Sequence, residues 1–167
     1  MTLTEEISEL SRAIVERCAQ SGAKAATAES CTGGMISAAI TAVAGSSAAI
    51  ELGVCSYSNR IKREVLGVSG DTLSRKSEYS AECAQEMARG VMELAGADFG
   101  VSTTGVAGPA GGSAQHPVGE VHIGVCSRTQ CRAERFLFSA QGADPRAEIR
   151  AQATRQALAM LLELMQG

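Results

Sequence analysis

Ala23-Lys24-Ala25-Ala26-Thr27-Ala28-Glu29-Ser30-Cys31-Thr32-Gly33-Gly34 leads into Ile36, Ala39, Ile40 and Val43. Ala23 to Ala28 is short, small and apolar in balance, which suits a buried strand, whereas the four later residues recur at helical spacing. The polar, glycine-containing turn between them completes a strand, tight turn and helix. Such units, repeated, build layered α/β folds.

The same signals extend in both directions. Upstream, Leu3, Ile7, Leu10, Ile14 and Cys18 mark an amphipathic helix, opened by a Thr2-x-x-Glu5 capping box and stopped near Gly22. Downstream, Ile50, Leu52 and Val54 alternate with Glu51, Gly53 and Cys55, and after Tyr57-Ser58-Asn59 a short helix carries Ile61, Val65 and Leu66. Ser80 caps a longer helix with Ala84, Met87, Ala88, Val91 and Ala95 on one face and Gly96 as its stop. Phe99 to Thr103 reads as a third strand, followed by a long loop from Thr104 to Gly119. Two more strands, around Val121/Ile123/Val125 and Phe136/Phe138, are joined by Ser127-Arg128-Thr129-Gln130 as a hairpin. Asp144-Pro145 opens a final helix with Ile149, Ala153, Ala157, Met160, Leu161 and Leu164 inward. The expected architecture is a three-layer α/β/α sandwich with a mixed sheet, one domain over residues 1–167.

Composition narrows the function classes. Of 167 residues, 45% are hydrophobic but only 3% aromatic, with no Trp, 28 Ala and 18 Gly. The core must be packed from small side chains, and recognition by stacking on several exposed rings is excluded. A formal net charge of −3 without charge runs argues against nucleic acid and anionic membranes as partners. The N-terminal segment lacks a signal-peptide pattern and no stretch approaches the roughly 18 apolar residues of a membrane span, so a cytoplasmic location is expected. The six cysteines show no C-x-x-C spacing and are expected to be small buried hydrophobes. Oligomeric state is not legible: the small apolar residues suit a homo-oligomer and a monomer equally.

Sites in such folds collect at the carboxyl ends of strands. The Thr27 to Gly34 turn places a hydroxyl, Ser30, and a thiol, Cys31, near backbone N–H groups that could form an oxyanion hole. The plainer reading is that Ser30 and Thr32 cap the helix and Gly33-Gly34 permit close packing. Neither a phosphate-binding P-loop nor a nucleophile elbow is present. A serine nucleophile needs a base. His122 sits mid-strand, where a structural role is expected, and His116 is a weak candidate in the loop. Only three of the 15 basic residues are lysines. Lys62, in the first helical turn after Tyr57-Ser58-Asn59, is placed for a lowered pKa by the helix dipole and partial burial, although on position alone the plainer reading is a solvated surface lysine. Lys24 and Lys76 read as surface residues.

AESCTGG (Ala28–Gly34), SYSNRIKREVLGV (Ser56–Val68), TTGVAGPAGG (Thr103–Gly112) with PVGEVHIGV (Pro117–Val125), and DPRAEIRAQAT (Asp144–Thr154), in this order, resemble the C-terminal domain of the CinA (competence/damage-inducible) family. That domain is similar to nicotinamide-nucleotide amidohydrolase. The resemblance spans nearly the whole chain and implies the three-layer CinA-like fold and hydrolysis of the carboxamide of nicotinamide mononucleotide to nicotinate mononucleotide and ammonia, without cofactor or metal. Ser30 matches the family's nucleophile, Lys62 its general base, and Tyr57 a supporting hydrogen-bond donor.

On this reading Thr32, Gly33, Gly34, Asn59, Thr104, Gly105 and Gly108 contact the substrate, with Thr32 to Gly34 or Thr104-Gly105 supplying oxyanion donors. Arg146 and Arg150, four apart on the last helix, are candidates for the phosphate or else a solvated pair. Cys31 is the rival nucleophile, and strand-end alternation leads us to expect only one of Ser30 and Cys31 in the cleft. The chain departs from the family pattern where Lys76-Ser77-Glu78-Tyr79-Ser80 replaces a Gly-Ala-Val-Ser stretch, at His116, and in the extended SAQGADPR segment; these touch the pocket rim. The alternative function is a non-catalytic nucleotide-binding or regulatory module linked to competence or DNA damage, and a metal-dependent phosphohydrolase lacks the ligand cluster it needs.

Overall fold

Alternation along the first strand sorts its alanines between two cores. In the computed structural model, which describes Met1–Gly167, β1 (Ala25–Glu29) sends Ala25 to one face and Ala26 and Ala28 to the other. It pairs in parallel with β2 (Ile50–Cys55) and with β3 (Phe99–Gly105). Antiparallel β4 (Glu120–Ser127) and β5 (Cys131–Leu137) follow, giving a mixed sheet ordered β2-β1-β3-β4-β5. Helices α1 (Leu3–Ser21), α2 (Met35–Thr41) and α5 (Pro145–Gln166) cover the face carrying Val101, Ile123 and Val125. Helices α3 (Asn59–Leu66) and α4 (Ala81–Ala95) cover the other. The α/β/α sandwich expected from the sequence is the fold.

The helix signals act where they were read. Thr2 and Glu5 form the capping box of α1, Ser80 accepts the Cys83 N–H at the start of α4, and Asp144 accepts that of Ala147 at α5. Gly96 ends α4 at a φ of 63°. The boundaries shift by a residue or two: β1 starts at Ala25 rather than Ala23, β3 continues to Gly105, and β4 begins at Glu120. A short 3-10 turn (Ser46–Ala48) and a π-helical turn (Thr72–Lys76) have no counterpart in the periodicity.

The wealth of Ala and Gly is used where α4 lies on the sheet. A Cβ on Gly100 would fall 2.0 Å from the Ala88 carbonyl oxygen, and one on Gly124 2.3 Å from that of Ala84. No side chain fits there, so α4 packs backbone to backbone against β3 and β4, and the Ser102 hydroxyl donates to the Ala84 carbonyl.

The cysteines correct one expectation. Cys126 and Cys131 are register partners across the β4–β5 hairpin, with Cα atoms 4.1 Å apart, and form a disulfide. A pairing set by hairpin register has no C-x-x-C signature. Cys55 is exposed, while Cys18, Cys31 and Cys83 are the buried thiols anticipated. No helix is long and apolar enough to cross a membrane.

Candidate active site

The parallel strands β1 and β3 end side by side, and the chain leaves them in different directions. Glu29 pairs with Thr103, and the next amide, Ser30 N–H, donates to the Thr103 carbonyl at 3.0 Å. This crevice at the carboxyl edge, where the strand order reverses, is where α/β folds bind ligands. A cleft of about 180 Å³ opens there. Ser30, Cys31, Tyr57, Asn59, Lys62, Gly105, Gly108 and Arg146 line it, together with Glu78 and Tyr79.

Glu29, singled out by no motif, organises the turn. Fully buried, its carboxyl oxygens accept the N–H groups of Gly34 (3.1 Å), Ile36 (3.0 Å) and Ser37 (2.9 Å) and the Thr32 hydroxyl (2.6 Å). It therefore caps α2, the role the plainer reading gave to Ser30 and Thr32. An acceptor here satisfies donors that the helix leaves unpaired. The turn bends through Gly33 and Gly34 at φ values of 59° and 98°, which only glycine adopts without strain. Thr32 also meets the Thr103 hydroxyl at 2.7 Å, tying the turn to β3.

With Glu29 holding the helix end, Ser30 is free to face the cleft. Lys62 reaches it from the first turn of α3, its Nζ donating to Ser30 Oγ at 3.2 Å and to the Ser56 carbonyl at 3.2 Å. Only 2% of Lys62 is exposed. Burial pushes its pKa below the usual lysine value, favouring the neutral amine. The Ser58 hydroxyl caps this helix by accepting the Ile61 N–H, which fixes where the lysine emerges.

Cys31 also lines the cleft, against the expectation that only one of the two residues would, because strand alternation has ended at the turn. Burial pushes its thiol up to about 12, so it is a poor source of thiolate. Tyr57, 64% exposed on the rim, accepts a hydrogen bond at its phenolic oxygen from Arg146, 3.2 Å away. Arg146 also donates to the Gly108 carbonyl, so the cleft mouth is bridged from α5 to the loop after β3.

Other expected contacts lie outside the cleft lining. Thr32, Gly33 and Gly34 form the underside of the turn, and the Gly33 N–H donates to the Ser30 carbonyl. The Gly33 and Gly34 amides are thus engaged rather than available for an oxyanion. Thr104 is buried, its hydroxyl donating to the Glu78 carbonyl. Arg150 donates to the Cys31 and Thr32 carbonyls at 3.1 and 3.0 Å, clamping the turn from behind instead of facing a ligand. By contrast, the amides of Cys31, Ala107 and Gly108, all at the cleft, donate to no backbone carbonyl.

His116 and His122 both contact Oε1 of Glu120, at 3.2 and 2.8 Å, and Arg135 holds the other oxygen at 3.1 Å. Burial opposes the charge of Glu120, but these three partners outweigh it and hold its carboxyl down to about 2. Neither histidine lines the cleft. No three His, Cys, Asp or Glu side chains converge as metal ligands.

A family model described as the CinA C-terminal domain matches residues 7–165. The chain belongs to that family. Among solved structures, the competence/damage inducible protein CihA of Agrobacterium tumefaciens is 41% identical, with a TM-score of 0.91 and 95% of each chain covered. A CinA superfamily protein of Escherichia coli is 32% identical, with a TM-score of 0.89 over 98% of this chain and 93% of that one. A CinA-like protein of Geotalea daltonii is 47% identical over 119 residues, 71% of this chain and 29% of that protein. That of Anaeromyxobacter dehalogenans is 40% identical over 153 residues, 92% of this chain and 36% of its own. This CinA domain therefore spans about a third of the length of the curated relatives it matches.

Proposed function

We propose that the chain hydrolyses the carboxamide of nicotinamide mononucleotide, giving nicotinate mononucleotide and ammonia. One observation carries the reading: a buried lysine amine lies 3.2 Å from a serine hydroxyl in a cleft. A structural lysine would be expected to reach solvent or a carboxylate; a desolvated amine against a hydroxyl is a base beside its nucleophile.

The steps use groups of this chain. Neutral Lys62 takes the Ser30 proton as Oγ attacks the amide carbon, forming a tetrahedral oxyanion. The Cys31, Ala107 and Gly108 amides are the donors left to stabilise it. The C–N bond then breaks, Lys62 returns the proton to the leaving nitrogen, and ammonia departs from a Ser30 ester. Water attacks that ester with Lys62 again as base, releasing the carboxylic acid and restoring the serine. Arg146, at the mouth, faces the 5′-phosphate, and Tyr57 and Asn59 border the ribose.

The test is ammonia release from nicotinamide mononucleotide by the purified chain, with and without a chelator. Turnover unaffected by the chelator, retained in Cys31→Ala and reduced at least about a thousandfold in Ser30→Ala and Lys62→Met is expected. Nucleotide binding without turnover in the unaltered chain would instead favour a regulatory binding module. Activity surviving Ser30→Ala but lost in Cys31→Ala would move the nucleophile to the thiol.

A further inference from the structure

Glu78 and Tyr79 enter the cleft from the segment before α4, alongside Ser30 and Lys62. The backbone that delivers them is strained: Ser77, at a φ of 88°, is the chain's one non-glycine residue in the left-handed region. It is held there by its N–H on the Thr72 carbonyl, by the Ser80 hydroxyl on its own carbonyl and by the Tyr79 N–H on its hydroxyl. The Glu78 backbone is pinned in turn by Thr104. The Tyr79 ring meets His116 edge to face, with centroids 5.4 Å apart, and His116 rests on Glu120. The backbone of both residues and the Tyr79 ring are thus placed before any ligand arrives.

Their charge balance is incomplete. The Glu78 carboxylate enters none of the chain's ion pairs, and its only side-chain hydrogen bond is a long one, 3.4 Å from the Ser77 hydroxyl. Its charge is felt by Lys62 across the cleft, where it opposes the effect of burial, but no cation contacts it. A half-buried carboxylate with no cation in contact, next to an aromatic ring, is a receptor for a flat cation.

We propose that Glu78 and Tyr79 form a cation-selecting wall of the cleft, which takes the positively charged pyridinium ring and discriminates against the uncharged dihydropyridine form of the same nucleotide. This rests on the reading of the substrate as a pyridinium nucleotide and adds the feature by which the site recognises its redox state. Arg146 and Glu78 give the cleft lining one group of each charge, matching a ligand with an anionic phosphate and a cationic ring.

The test is calorimetric titration of the full-length Ser30→Ala chain, which cannot turn the ligand over, with nicotinamide mononucleotide and with its 1,4-dihydro form. The two share phosphate, ribose and carboxamide and differ in ring charge. The oxidised form is expected to bind about tenfold or more tightly. Adding Glu78→Gln should cut that preference by about tenfold, and Tyr79→Leu by about fivefold, with affinity for the dihydro form changed less than about twofold. Tyr79→Phe retains the ring and should retain the preference, which separates ring chemistry from folding. An unchanged preference in both Glu78→Gln and Tyr79→Leu, with both nucleotides still bound, would overturn the wall and leave the amidohydrolase reading standing. Binding of neither nucleotide to Ser30→Ala would overturn that reading and the wall with it.

Discussion

Glu29→Gln is the sharpest perturbation of the turn, because it changes one atom and no volume. In the native chain Oε2 accepts from Thr32, Gly34 and Ile36, and Oε1 from Ser37. A glutamine keeps most of these bonds by placing its carbonyl oxygen at the Oε2 position. Its NH2 then points at the Ser37 N–H, donor against donor. Orphaning that amide costs about 1–3 kcal/mol, and losing the negative charge at the helix start costs about another 1 kcal/mol. The reversed placement is worse, since two amides and a hydroxyl then face the NH2.

The expected loss is about 2–4 kcal/mol, which for a chain of this size lowers Tm by roughly 5–15 °C. Thermal and urea unfolding of the two proteins measure it directly. Ser30 follows Glu29 in the chain, so activity assayed well below Tm should also fall, since the turn that carries the nucleophile is no longer held. A Glu29→Gln chain within about 0.5 kcal/mol of the native stability would refute the capping account of this carboxyl.

Lys62 should make kcat/KM rise with pH and level off below the ordinary lysine value, because the base works as the neutral amine; a profile still climbing through pH 10.5 contradicts its burial. The same downward shift means that the folded chain binds fewer protons than the unfolded one between the shifted value and 10.5. Stability from this group therefore rises with pH across that window, and a Lys62→Met chain should lack the rise in urea unfolding followed from pH 7 up to 10.5. Glu120 acts at the other end of the scale. Its folded pKa is depressed to about 2, so its stabilising contribution is present above 4.5 and lost as pH falls toward 2. Glu120→Gln should flatten the acid limb of stability, and an unchanged limb would show that the Arg135 and histidine contacts contribute nothing. Gly100→Ala places a methyl 2.0 Å from the Ala88 carbonyl oxygen and 2.9 Å from the Met92 Cβ, so α4 must move. A loss of about 1–3 kcal/mol is expected in chemical denaturation.

The elements were legible wherever period and punctuation agreed. Thr2, Ser80, Asp144 and Gly96 mark helix ends that depend only on neighbours in the chain, and all four act there. The disulfide was not legible, because Cys126 and Cys131 meet through hairpin register. Arg146 and Arg150 show the same limit on one helix. One turn, about 6 Å of rise, separates a side chain that reaches Tyr57 from one that reaches back to the Cys31 and Thr32 carbonyls. Glu29 reads from the sequence only as part of the polar turn after Ala28; its role depends on the direction in which α2 leaves that turn. Glu78 and Tyr79 stood out only as a departure from the family pattern, and the cleft gives them a place.

The small residues of the core and the polar residues of the cleft are parts of one arrangement. Gly100 and Gly124 let the backbone of α4 come into contact with the sheet, so the start of that helix has little freedom relative to β3. Ser80 caps α4 and also binds back to Ser77, and Thr104 of β3 holds the Glu78 carbonyl. Close packing thereby fixes the segment that carries Glu78 and Tyr79 against the strand whose end supports Ser30. Bulkier residues at these glycines would force α4 outward and carry that wall away from Lys62. The scarcity of rings has the same consequence. Few aromatic side chains are present, so Tyr79, the half-buried one of the two that line the cleft, has to be positioned by backbone contacts, and Ser77 is strained to do it.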